Sequence, residues 1–158
     1  PTVLNHRNHD CGDLALWAGM SVGAETIIVP EMSVDIREIA ERIESGIKRG
    51  KKHSIIIVAE GCMSGQACAD ELLKYINVDA RVSVLGHIQR GGSPTGNDRV
   101  LASRLGGFAV DLLLNGETAQ GVGIKDNQLV STPFDDIFTA NDHKFNHKMY
   151  ELTKELSI

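Results

Sequence analysis

His87 and Arg90 stand three residues apart in the run Val84-Leu85-Gly86-His87-Ile88-Gln89-Arg90-Gly91-Gly92-Ser93-Pro94, where an apolar strand end enters a glycine-rich turn. An imidazole N–H and a guanidinium beside free backbone amides favour an anion, above all a phosphate. Charge-assisted bonds to phosphate oxygens are short and strong, and Arg presents a planar fork to two oxygens at once. Ser93 and Pro94 read as a helix N-cap and first helical residue, since Ser accepts from a free helix amide and Pro has none to leave unpaired. Beyond them Leu101, Leu105, Phe108 and Leu112 are spaced four, three and four, which is one helix face. The turn therefore joins a strand's carboxyl end to a helix start, the place where open α/β sheets bind ligands. The same spacing also fits an ordinary strand–helix loop carrying two exposed polar residues.

Three further places carry usable chemistry. Glu60 follows the apolar run Ser54–Ala59 and precedes Gly61. A carboxylate there accepts hydrogen bonds from ligand hydroxyls, or is simply a solvated loop acid. Arg81 opens a strand, a position where Arg is ordinarily solvated. Arg49-Gly50-Lys51-Lys52-His53 is a basic cluster at a helix end, favoured there by the helix dipole whether or not a ligand is involved.

The elements that must position these groups follow from periodicity. Residues 1–10 read as polar and irregular. Asp13–Val22 reads as a helix with Leu14, Trp17 and Ala18 on its inner face and Gly23 ending it. Thr26–Val29 is a short β-branched run stopped by Pro30, as in a strand covered on both faces. Asp35–Gly50 is an amphipathic helix with its stripe at Ile36, Ile39, Ala40, Ile43 and Ile47. Ser54–Ala59 is a second buried strand, Gln66–Tyr75 a helix with Ala67, Leu72 and Leu73 inward, and Arg81–Leu85 a third strand. Gly121–Ile124 and Gln128–Val130 flank Asp126-Asn127 as a hairpin, and Phe145–Leu156 is a last helix. Strands alternating with helices, without repeats, give an α/β fold with a mostly parallel sheet, expected as one domain over 1–158.

Composition narrows the classes. A chain of 158 residues buries about two-thirds of its unfolded surface. A net charge of −5 argues against bulk attraction to nucleic acid or membrane, and 4% aromatic residues against a stacking platform for single-stranded nucleic acid. The three Cys lack the spacing of a zinc site and read as small structural residues; with no signal peptide and no long apolar span, a reducing cytoplasmic location is expected. The chain begins at Pro1 and not at Met, as a fragment, a processed chain or a partial record does.

The run Gly86–Pro94, followed by Asp98-Arg99-Val100-Leu101-Ala102-Ser103-Arg104-Leu105-Gly106, resembles the bacterial ATP-dependent 6-phosphofructokinases. Cys11-Gly12-Asp13-Leu14-Ala15-Leu16, Gly50-Lys51-Lys52-His53-Ser54 and Val122-Gly123-Ile124 agree, in order, over nearly the whole chain. The match corresponds to roughly the C-terminal half of that family's subunit and implies a three-layer, Rossmann-like second half. The resemblance implies that Glu60 holds the hydroxyls of fructose 6-phosphate, and that His87 and Arg90, with Ile88 and Gln89 between them, hold its 6-phosphate. It also implies that Arg81 reaches the same phosphate from a neighbouring subunit. Gly23, Ala24 and Glu25, with Arg49, Lys51, Lys52 and His53, correspond to an effector site for ADP or phosphoenolpyruvate at a subunit boundary, Glu25 lying near the activator's metal.

The family has Met-Gly-Arg where this sequence has Arg7, Asn8 and His9, a degenerate version of a sugar-phosphate contact in a stretch, Asn5–Asp10, that reads as a defect. The family's ATP loop, metal-binding Asp and catalytic base lie in its N-terminal half. No catalytic residue is therefore expected here, Mg is expected mainly on the other half, and this chain alone is expected to be inactive. The implied partners are fructose 6-phosphate, ATP as co-substrate and three further copies in a homotetramer acting in glycolysis. The alternatives are a non-catalytic sugar-phosphate or nucleotide-binding regulatory module and half of a pyrophosphate-dependent relative.

Overall fold

The computed structural model describes residues 2–6, 11–89, 91–140 and 144–156, with backbone alone for 4–6. In chain order its elements are β1 (Thr2–His6), α1 (Asp13–Ser21), β2 (Thr26–Ile28), α2 (Ile36–Lys48), β3 (Ile55–Ala59), α3 (Gly65–Leu72), β4 (Arg81–Val84), α4 (Gly96–Leu114), β5 (Gln120–Lys125), β6 (Gln128–Pro133), α5 (Phe134–Thr139) and α6 (His147–Leu156). The sequence reading expects one domain; the contacts divide into two compact units, Pro1–Arg90 with Phe145–Ile158, and Gly91–Lys144.

In the first unit the strands are parallel, in the order β2-β3-β1-β4. Side chains alternate between two cores. Ile28, Ile56 and Val58 meet Ile39, Ala40 and Ile43 of α2 and Cys68, Ala69 and Leu72 of α3. Ile27, Val29, Ile57 and Ala59 meet Ala15 and Leu16 of α1 and Tyr150 of α6. A sheet covered on both faces needs such continuous apolar runs, and this is the expected three-layer α/β arrangement.

Three expectations change in this unit. Residues 2–6 are not irregular: they form β1, paired to β3 on one side and β4 on the other. Its few apolar residues hide it from periodicity, while backbone pairing along both edges satisfies its donors and acceptors. The inner face of α1 is Ala15, Leu16 and Gly19, with Leu14 54% and Trp17 65% exposed. This helix is apolar nearly all round, so closeness of approach selects the face. A Cβ on Gly19 would fall 2.4 Å from Ile27 Cδ1. The buried face of α3 is likewise Gly65, Cys68, Ala69 and Leu72, with Ala67 and Leu73 turned outward. Burial pushes the Cys68 thiol up to about 11, and burial with the nearby Glu31 carboxylate raises Cys62, in keeping with structural thiols.

In the second unit α4, α5 and the β5–β6 hairpin pack together. Asp126 and Asn127 both have positive φ, 51° and 61°, as a two-residue hairpin turn requires. Arg104 of α4 donates to Asn127 Oδ1 at 3.1 Å and to its carbonyl at 2.9 Å. The cap of α4 is Thr95, not Ser93. Thr95 Oγ1 accepts from the Asp98 N–H, and Asp98 accepts from the Thr95 N–H at 2.8 Å, a capping box that satisfies two donors where Ser93 offers one acceptor. These bonds hold the Asp98 carboxyl below its ordinary range. The box thus stabilises above that range and is lost as pH falls through the lowered value. Thr95→Ala is expected to cost about 1 kcal/mol in denaturant unfolding at neutral pH, with a smaller difference from the unaltered chain in strong acid. Among the described residues no helix is long and apolar enough to cross a membrane.

Candidate functional site

The parallel register fixes which groups share an end of the sheet. At the carboxyl end, β3 closes into a turn in which the Cys62 N–H donates to the Ala59 carbonyl at 3.0 Å, placing exposed Glu60 just past the strand. After β4 the chain makes a single 3₁₀ turn over Gly86–Gln89. Gly86 has φ +50°, the Ile88 N–H donates to the Leu85 carbonyl at 2.9 Å, and Gln89 Nε2 donates to the Gly86 carbonyl at 3.0 Å. Ile88 is 84% exposed and His87 is exposed beside it. Only β1 lies between β3 and β4, so Glu60 and His87 emerge on one edge, two strand spacings or about 10 Å apart. Arg90, and Arg7, Asn8 and His9 with the rest of the 7–10 stretch, lie outside the described residues.

Glu31, not singled out in the sequence, also lies at this edge. Its carboxylate accepts from the Gly12 N–H at 2.8 Å, and a Cβ on Gly12 would fall 2.3 Å from Val29 Cβ. The start of α1 is thereby locked against the segment following β2. The one available signal was an acid directly after Pro30.

The amino end of the same sheet collects the other set. Gly23, at φ +66°, turns the chain out of α1, and the Glu25 N–H donates to the Ile55 carbonyl at 3.0 Å. Lys51 Nζ sits 3.2 Å from Glu25 Oε1, both side chains less than a third exposed. Arg49 Nη1 donates to Ser45 Oγ at 3.1 Å, and Lys52 and His53 are exposed. A cavity of about 140 Å³ lies between Gly23, Ala24, Glu25, Lys51 and the α6 residues Thr153 and Leu156. Gly23, Ala24, Glu25 and Lys51 of the expected effector set therefore come together at this cavity, Arg49 meets Glu25 and Lys51 at a smaller one, and Lys52 and His53 line a separate cleft that Lys51 shares. The residues of α6 had no sequence signal, because they join the site only through packing. Arg81 opens β4 at this same end, 82% exposed, with its Nε 3.8 Å from Asp79 Oδ2. The structure does not bring it together with Glu60 or His87 in one chain.

Among the described residues no group of three or more His, Cys, Asp or Glu is placed to hold a metal ion. A magnesium ion near Glu25 would take at most two such side chains from the described residues, and its other ligands from phosphate and water, which is a coordination magnesium commonly adopts.

Residues 3–113 match the model of the family described as phosphofructokinase. The chain is 76% identical over 156 residues, 99% of its length, to an ATP-dependent 6-phosphofructokinase of Staphylococcus epidermidis, and 69% identical over the same span to one of Staphylococcus aureus. It spans 48% of each, about half the length of the curated relatives it matches. Among solved structures, Pichia pastoris phosphofructokinase in the T-state aligns with a TM-score of 0.77 at 27% identity, over 98% of this chain and 18% of that one. A pyrophosphate-dependent phosphofructokinase from Marinobacter aquaeolei aligns over 87% of this chain and 40% of that one, with a TM-score of 0.74 at 17% identity, a likeness of fold. A family model covering most of the chain, and high identity along its whole length, establish that the chain belongs to the phosphofructokinase family.

Proposed function

We propose that this chain is the sugar-phosphate-binding and effector-binding half of an ATP-dependent 6-phosphofructokinase, an enzyme that phosphorylates the 1-hydroxyl of fructose 6-phosphate in glycolysis. The observation that carries the reading is the 76% identity, over 99% of the chain, to an enzyme of that name. Geometry supports it, since Glu60 and the His87 turn share the carboxyl edge where α/β sheets bind ligands. In this reading Glu60 accepts from the sugar hydroxyls. His87 and Arg90, with Ile88 and Gln89 setting the turn between them, donate to the 6-phosphate, and Arg81 donates from a neighbouring subunit. ATP and magnesium, held mainly by the other half, supply the phosphoryl donor. These residues orient the acceptor sugar, and orientation with charge stabilisation is most of what phosphoryl transfer requires. The identity to ATP-dependent relatives far exceeds that to pyrophosphate-dependent ones, which favours ATP. The working assembly is a cytoplasmic homotetramer.

Gly23, Ala24, Glu25, Arg49, Lys51, Lys52 and His53 form the effector site in the same reading, taking ADP or phosphoenolpyruvate, with Glu25 beside the activator's magnesium. In a complete subunit Lys51→Ala is expected to blunt activation by ADP while leaving the maximal rate nearly unchanged. Rate against fructose 6-phosphate, with and without ADP, checks this. Equal losses in both conditions would remove the cluster from regulation.

A further inference from the structure

Glu31 stands at the carboxyl edge of the sheet, among the segments that follow three of its strands. β2 and β3 are neighbours with Ile28 in register with Val58, so they end level. The loop carrying Glu31 therefore leaves beside the turn carrying Glu60, about one strand spacing or 5 Å away. That turn closes through the Cys62 N–H and the Ala59 carbonyl. Cys62 packs against the same buried cluster as Met32, the neighbour of Glu31, around Val29 and Ala59. Burial raises the Cys62 thiol, and the Glu31 carboxylate is close enough to raise it further. On its other side Glu31 Oε1 accepts from the Gly12 N–H at 2.8 Å, 19 residues away in sequence. Gly12 is the N-cap of α1 and has no side chain to cap with. In an ordinary capping box the acid that accepts from the N-cap N–H sits on the first turn of the same helix. Here it comes from the loop after β2, and the positive end of the helix dipole favours its charge. Glu31 Oε2 is buried, and a Cβ on Gly12 would fall 2.7 Å from it. The carboxylate is thus used within the fold.

We infer that Glu31 is a positioning residue for the acceptor sugar: it ties the start of α1 to the loop after β2 and backs the turn that presents Glu60, without touching the ligand. This rests on the function proposed above, in which Glu60 accepts from the hydroxyls of fructose 6-phosphate. An exposed carboxylate on a short turn orients a sugar only if the turn is held, since a misplacement of about 1 Å can cost about a hundredfold. Glu31 supplies that hold through a charge-assisted bond in partly buried surroundings, where it is stronger than in water.

In a complete subunit Glu31→Ala is expected to raise KM for fructose 6-phosphate about tenfold, part of what a full misplacement can cost, and to lower kcat far less. Glu31→Gln keeps an acceptor for the Gly12 N–H without the charge, and is expected to lose about threefold. Activation by ADP, read at the opposite end of the sheet, is expected to stay unchanged. The decisive comparison is the double variant of Glu31→Ala with Glu60→Ala. If Glu31 acts through Glu60, the double variant binds fructose 6-phosphate no more weakly than Glu60→Ala alone in an equilibrium titration. Losses that multiply would make Glu31 merely structural and overturn the inference. Should Glu31→Ala not fold, the same cycle is run with Glu31→Gln. The contact itself is read without sugar in the 158-residue chain, from the rate at which iodoacetamide alkylates Cys62, located by peptide mass. Glu31→Gln is expected to speed that alkylation, because removing the carboxylate lowers the thiol toward its ordinary range. An unchanged rate overturns the inference. An unaltered complete subunit that binds no fructose 6-phosphate would instead remove the function proposed above, and this inference with it, while the alkylation result stood.

Discussion

Mixing Arg81→Ala subunits with His87→Ala subunits, each as a complete subunit, is expected to restore high-affinity fructose 6-phosphate sites that neither variant has alone. The ground is the register of the sheet. Arg81 is the first residue of β4 and His87 follows its last, so they stand at opposite ends, at least about 10 Å apart along the strand. Their placement at opposite ends of the strand favours groups from different chains holding one phosphate. Each alone is expected to weaken fructose 6-phosphate about ten- to hundredfold, the loss of one charge-assisted bond to a desolvated phosphate. In a mixed pair, one site lacks both groups and the other lacks neither. The second should bind with near-normal affinity in an equilibrium titration of mixed oligomers. Mixed oligomers without any high-affinity site would place Arg81 in its own subunit or outside the site altogether.

A second large effect is expected in the core, and it separates two residues that look alike in sequence. Ile39 and Ile47 both belong to the apolar stripe of α2. Ile39 is 1% exposed, packed among Ile28, Ile56 and Ala69, whereas Ile47 is 47% exposed on the last turn. Ile39→Ala is expected to cost about 2–5 kcal/mol, because the transfer energy of the side chain is lost and a cavity is left. Ile47→Ala is expected to stay within about 0.5 kcal/mol. Denaturant unfolding of the two variants gives both values, and similar losses would contradict the observed packing of α2.

That pair also shows where a linear reading stops. Period identifies α2, and Asp35 caps it by accepting from the Arg37 N–H, but period cannot say how far the sheet extends beneath the stripe. Strands β2 and β3 were legible because both faces are covered and their runs are wholly apolar. Strand β1 was not, since its pairing to two neighbours is a property of the assembled sheet. α1 misleads because nearly every position is apolar; Gly19 against Ile27 decides its face, and a glycine is silent in a hydrophobicity pattern. α5, over Phe134–Thr139, is too short to show a period. For the candidate site, residue types and turn positions were legible: Glu60 and His87 follow strand ends, and the 49–53 cluster follows the end of α2, as expected. The division of labour between the two ends of the sheet was not. It follows from strand order and register, which place Arg81 beside Lys52 and His53 and away from His87.

The central claim is that these residues are the acceptor-sugar half of a two-part catalyst. The most direct measurement is ATP-dependent formation of fructose 1,6-bisphosphate by two purified proteins. One is the 158-residue chain. The other is the same chain joined behind the N-terminal half of the Staphylococcus epidermidis relative, with Met-Gly-Arg at positions 7–9. The chain alone is expected to give no product above a contaminant control, and the joined protein is expected to turn over, with activity that falls sharply in its His87→Ala form. Product from the chain alone, or turnover in the joined protein indifferent to His87, would contradict the account.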